Sequence, residues 1–310
     1  AKRIEMENAM RKAVEDGCEE FEVYYQPLMD AGAKGRACIG AEALVRWNSL
    51  QLGFVKPDEF IHMAEYLGYI IPIGTHVLRN ACKACRRWND FGHPDFSISV
   101  NISVVQLLQK DVVDIIKAAI EETELDPKNL ILEITESVAM DDIEKIKKKL
   151  DELRKMGVRI ALDDFGTGYS SLSRLKDLPF DEIKIDKSFV DDLGEDDFSG
   201  AFVETVTSLA DTIDVNVVVE GVEHQSQANE LKNMKVDVFQ GYLYDKPLKG
   251  DDFELNGFSN PKNLKTVDDY INEIERILST MPCPSPSFYV YFYNAFAISR
   301  LTLTKRLFRK

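Results

Sequence analysis

The chain has 310 residues, with 38 Lys and Arg against 53 Asp and Glu, a formal net charge of −15 and 45% hydrophobic residues. That length accommodates one large domain or two modest ones, and the hydrophobic share supports a sizeable core. The acidic balance argues against a nucleic-acid polymer as partner, because such footprints are basic, but it leaves room for a small anion held through cations.

Ala1–Asp16 is a charged helical stretch with Ile4, Met6, Met10, Ala13 and Val14 as a partial apolar stripe. Residues 1–17 read as an N-terminal connector helix. After Gly17, β-rich runs alternate with amphipathic stretches. The candidate strands are Phe21–Leu28, Ile39–Trp47, Ser97–Ser103, Leu130–Thr135, Val158–Asp163, Glu182–Asp186, Asn216–Glu220 and Val236–Gly241. Helical patterns cover Thr75–Asn89, Val104–Glu122, Met140–Met156, Ser170–Leu175, Phe198–Asp211 and Gln225–Asn233. Such alternation indicates parallel pairing, and eight strands in about 220 residues match the size of a (β/α)8 barrel. Met29–Cys38 is glycine-rich and too short for a crossover, which needs a dozen or more residues. The expected fold is therefore α/β, a TIM-like barrel over 18–255 with its first strand antiparallel.

Beyond Phe253 the alternation stops. Residues 256–310 form a C-terminal extension of unassigned role, with a linker, a helical pattern over Thr266–Met281, a Pro-rich break and an aromatic run, Phe288–Ile298. Its last residues are basic. Packing on the barrel is the plainer expectation, and a membrane-surface or partner-binding element is the alternative.

Five scattered cysteines (Cys18, Cys38, Cys82, Cys85, Cys283) point to a reducing compartment. Cys82 and Cys85 form a lone CxxC on a helical pattern and read as helix packing rather than a zinc site. No signal-peptide pattern opens the chain and no apolar run reaches the roughly 20 residues of a membrane span. A cytoplasmic setting is expected, free or within a larger membrane-attached protein. The first residue is Ala, which suits a fragment.

In such a barrel the chemistry lies where strands finish. Reading those ends gives Glu42 with Arg46 four residues on, Asn101, Glu133, the pair Asp163 and Asp164, Lys184, Glu220 and Gln240. Converging carboxylates in a low-dielectric mouth cost several kcal/mol unless paired. One lysine is too little to offset them, whereas hard divalent cations favour oxygen ligands, and the lack of His disfavours zinc. Successive strand residues point to opposite sides, so the chain must turn at Asp164 for both aspartates to serve one site; Gly166 and Gly168 permit that turn. Paired metals roughly 3.5–4 Å apart polarise a phosphodiester and lower the pKa of a bound water, which indicates phosphoester hydrolysis. The Asp-Phe-Gly of residues 164–166 lacks the other kinase motifs, and "GTGYSS" lacks the lysine and spacing of a P-loop.

"EALVRW", "YYQPL", "VNIS", "LEITES", "DDFGTGYSSLSRLKDLPFDEIKIDKSFV", "VVEGVE" and "QGYLYDKPL" occur in order. Together they resemble the EAL-domain phosphodiesterases that cleave cyclic di-GMP, from about Phe21 to Leu248. The resemblance implies hydrolysis to linear pGpG with two Mg²⁺ or Mn²⁺ ions, and inhibition by Ca²⁺. It implies Glu42, Asn101, Glu133 and Asp163 as ligands of one metal, and Asp163, Asp164 and Glu220 of the second. Lys184 would position or polarise the attacking water, and Glu220 would also carry the general-base role. Gln26, Leu44, Arg46, Glu223 and Gln240 would contact substrate, and Glu136 would brace the loop Asp164–Ser173, which the family links to dimerisation and activity. A homodimer and an upstream sensor or GGDEF-type domain are further implications. Val219 in place of a commoner Ala, and "NMKVD" before the last strand, depart from the pattern without touching a ligand. The competing expectation is a catalytically silent or autoinhibited cyclic di-GMP receptor. Such receptors lose ligands or the loop, whereas every ligand position is kept here.

Overall fold

The regular alternation of β-branched runs and amphipathic stretches closes into a barrel. The computed structural model describes residues 2–32, 37–136, 143–167, 178–191, 193 and 197–257. The chain divides into a unit spanning Ala1–Pro261 and another spanning Lys262–Lys310, and the described residues belong to the first. The helical patterns at Ser170–Leu175 and Thr266–Met281, with the C-terminal extension from residue 258 onward, lie outside the described residues.

The strands are β1 (Phe21–Asp30), β2 (Cys38–Ser49), β3 (Gly53–Val55), β4 (Ser97–Asn101), β5 (Leu130–Thr135), β6 (Arg159–Phe165), β7 (Glu182–Ile185), β8 (Asn216–Val219), β9 (Val238–Phe239) and β10 (Leu248–Lys249). Eight of them, β1, β2 and β4 to β9, form the closed barrel, and β3 and β10 are short additions beside β2 and β1. β1 runs antiparallel to both β2 and β9, while the pairs from β2–β4 round to β8–β9 are parallel. The reversed first strand follows from the short connection after Met29, as expected.

The helices are α1 (Lys2–Glu15), α2 (Pro57–Leu67), α3 (Ile70–Asp90), α4 (Val104–Leu107), α5 (Val112–Thr123), α6 (Ile143–Lys155), α7 (Ser188–Asp191), α8 (Asp197–Ile213), α9 (Gln225–Asn233) and α10 (Gly250–Gly257). Among the described residues, no helix is long and apolar enough to cross a membrane.

The single helix expected over Val104–Glu122 is two. Ser103 and Gln106 form a capping box that starts α4. Where α4 ends, the Lys149 ammonium donates to the Leu107 and Gln109 carbonyls at 2.6 Å each. Those carbonyls are satisfied by α6 rather than by a continued helix. α1 buries Met6, Ala9, Met10 and Ala13 in a second apolar cluster with Phe21, Trp47, Phe60 and Ile73. Cys82 and Cys85 are wholly buried in the α3 core, where burial pushes the Cys82 thiol up to about 12.

Candidate active site

Side chains of a strand alternate in direction, and on β7 this sends Lys184 into the barrel. The residue is 1% exposed. Its Nζ lies 2.6 Å from Glu220 Oε1, 2.8 Å from Glu133 Oε2, 3.3 Å from Asp163 Oδ1 and 3.6 Å from Glu42 Oε2. Acids from β2, β5 and β6, and from the end of β8, thus meet at one cation. Lys184 reaches four of these acids at once but balances only one charge, so the excess negative charge stays with the cluster.

Glu42 is further fixed by amide donors. Asn101 Nδ2 donates to its Oε1 at 2.7 Å, and Gln240 Nε2 to its Oε2 at 2.6 Å. Gln240 Nε2 also reaches Gln26 Oε1 at 3.2 Å, and Gln26 Nε2 donates to the Asp245 carbonyl at 3.4 Å. Among the described residues, the buried Gln240 Oε1 and Ser99 Oγ have no hydrogen-bond partner.

The adjacent aspartates are accommodated by a bulge. Between Leu162 and Phe165, β6 advances three residues while β7 advances two, from Ile183 to Ile185. Asp164 adopts φ +56°, and its N–H donates to Asp163 Oδ1 at 3.0 Å. The turn continues at Gly166, φ +97°, where an added Cβ would lie 2.5 Å from the Phe202 ring. The Gly166 N–H donates to Glu136 Oε2 at 3.2 Å. Glu136 thus touches the start of the loop after β6; residues 168–177 of that loop lie outside the described residues.

The electrostatics follow from this crowding. Burial works against charge on Glu42, but Lys184 and the Gln240 and Asn101 amides outweigh it and hold the carboxyl below its ordinary value. Glu133 is driven well above its ordinary value by burial and then by the Glu42 charge. Burial raises Glu220 to about 7, and burial with the Asp163 charge raises Asp164. Burial disfavours the charged Lys184, yet the surrounding carboxylates raise its pKa well above the ordinary value.

Other expected residues stand apart from this cluster. The Arg46 guanidinium donates to its neighbouring Val45 carbonyl at 2.9 Å and lies 5.8 Å over the Tyr24 ring. Leu44 is half-buried opposite Tyr24. Glu223 pairs with Lys187 at 2.8 Å. Lys187 is not among the residues expected from the sequence, nor are Tyr242, 52% exposed, and Lys246, whose ammonium sits 5.1 Å over the Tyr242 ring. They follow β7 and β9 as the acids follow other strands, so strand-end position was the available signal.

The donor set fits a hard divalent cation. It consists of oxygens, and it carries more negative charge than one ammonium cancels. Among the described residues, no three Asp, Glu, His or Cys side chains are arranged around a single ion position. The Lys184 ammonium stands where four of the carboxylates converge.

The EAL domain family model matches residues 7–247. The bifunctional diguanylate cyclase/cyclic di-GMP phosphodiesterase MucR of Pseudomonas aeruginosa is 39% identical over 246 residues, covering 79% of this chain and 35% of that protein. The cyclic di-GMP phosphodiesterase NbdA of the same organism is 36% identical over 245 residues, covering 79% and 31%. The chain therefore spans about a third of the length of these curated relatives. The solved structure of the PaMucR phosphodiesterase in complex with c-di-GMP superposes with a TM-score of 0.75 at 38% identity, covering 80% of this chain and 99% of that one. An EAL domain protein from Listeria monocytogenes EGD-e gives 0.71 at 30% identity, covering 81% and 96%. By sequence and by fold, this chain belongs to the EAL domain family.

Proposed function

We propose that the chain hydrolyses cyclic di-GMP to linear pGpG, with Mg²⁺ or Mn²⁺ bound by Glu42, Asn101, Glu133, Asp163, Asp164 and Glu220. The observation that carries this reading is the buried convergence of Glu42, Glu133, Asp163 and Glu220 on Lys184. Two bound cations would supply Lewis-acid polarisation of the phosphodiester and an acidified water.

The chain's own groups supply the rest. Glu220, at the end of β8 and paired with Lys184, would take a proton from the attacking water. Lys184, 2.6 Å away, keeps a positive charge beside that base and beside the developing negative charge. Asn101 and Gln240 hold both oxygens of Glu42 in place. Arg46 lies on the same strand as Glu42 and supplies a cation for a substrate phosphate. A homodimer, with an upstream sensor or GGDEF-type domain in the full-length protein, completes the proposal.

The test is incubation of purified protein with cyclic di-GMP and Mg²⁺ or Mn²⁺, followed by chromatography for pGpG. Turnover that is suppressed when Ca²⁺ replaces those ions is expected, because the looser coordination of Ca²⁺ misplaces the water. Binding without turnover under several metals would sink the enzyme reading and leave the receptor.

A further inference from the structure

Lys184 is asked to do more than assist chemistry. The oxygens it holds, on Glu42, Glu133, Asp163 and Glu220, include those a metal ion would take. Among the described residues, no other lysine or arginine forms an ion pair with these four carboxylates. A divalent cation of the Mg²⁺ type binds oxygen at about 2.0–2.1 Å, so an ion and an ammonium cannot share one point of convergence, and their charges repel.

We propose that Lys184 is an internal counter-cation that competes with the divalent metal for these carboxylates. Without metal, it keeps the acids gathered rather than splayed by mutual repulsion. Metal entry is then an exchange of one cation for another, in which the flexible lysine stem gives up the oxygens the metal takes but stays at the rim of the site beside the attacking water, while the strands stay in place. The ammonium thereby sets how tightly the site holds its metal, separately from any part it plays with water. This inference rests on the metal-dependent reading above.

The experiment measures Mn²⁺ binding by calorimetry, without substrate, for wild type and Lys184→Met. Removal of the competitor should tighten Mn²⁺ binding about tenfold or more, equivalent to at least 1.4 kcal/mol. In chelator the Lys184→Met protein should melt below wild type, and it should gain more from added Mn²⁺. Binding equal to or weaker than wild type overturns the proposal while leaving the metal reading intact. No Mn²⁺ binding by either protein overturns both.

If Lys184→Met does not fold in chelator, the wild type provides the second measurement. With ¹³Cε-labelled lysine, the Lys184 resonance, assigned through Lys184→Arg, should shift on saturation with Mg²⁺. An unmoved resonance refutes displacement.

Discussion

Glu182 and Lys184 lie two residues apart on one face of β7, both buried, and their surroundings differ in kind. Glu182 has a partner of its own: Arg159 Nη1 reaches its Oε1 at 2.9 Å. Burial still raises the Glu182 carboxyl, with the Arg159 charge acting against it. Lys184, one step nearer the mouth of the barrel, is shared by four carboxylates. One charge met by one opposite charge is what a structural pair needs. One cation among four acids is a poor way to stabilise a fold, since the acids repel one another. Strongly perturbed, unbalanced clusters of this kind are where binding and catalysis are sought. The contrast supports the proposal that the lower pair serves stability and the upper cluster chemistry.

The largest effect that would test this division is Glu42→Ala. It removes a carboxylate held by Lys184, Asn101 and Gln240, and turnover of cyclic di-GMP should fall to background while the melting temperature stays near wild type. Unchanged rates would refute the assignment of the upper cluster. At the lower pair, Arg159→Met leaves Glu182 without its donor and should cost about 1–3 kcal/mol in denaturant unfolding. Its Mn²⁺ binding should match wild type; a large loss of metal affinity would erase the distinction between the two regions.

Gly166→Ala asks whether the upper cluster depends on the turn behind it. With φ at +97° and the Phe202 ring 2.5 Å from an added Cβ, the change should cost about 2 kcal/mol. Because that turn follows Asp164, turnover should drop as well, and full activity at reduced stability would separate the turn from the site.

The smallest effect concerns pH. Burial raises Glu220 from 4.5 to about 7, so its contribution to stability is complete below 4.5 and is lost as pH rises through 7. Melting curves in chelator from pH 5 to 8 should show wild type losing stability relative to Glu220→Gln. Parallel trends would mean that Glu220 is not raised.

Much of this arrangement was legible in the sequence because local rules sufficed. The short link after Met29 dictated an antiparallel first strand, and strand ends named Glu42, Asn101, Glu133, Asp163, Lys184, Glu220 and Gln240, which the structure brings into one connected network with Gln26. The unexpected parts all depend on groups distant in sequence. The break between α4 and α5 is set by Lys149 on α6. The apolar stripe of α1 finds its partner in Trp47 and Phe60. Arg46 and Glu223 follow the family pattern, yet their observed partners, Tyr24 and Lys187, were not implied by it.

By itself, the sequence determined which residue types reach the mouth of the barrel, since strand periodicity and glycine placement are properties of neighbouring residues. Only the tertiary structure decided how their charges balance. A bulge one residue long lets Asp163 and Asp164 stand side by side, and barrel closure carries acids from four parts of the chain to within 4 Å of one ammonium. Coulomb energy depends on separation in space, and closure sets that separation for residues far apart along the chain.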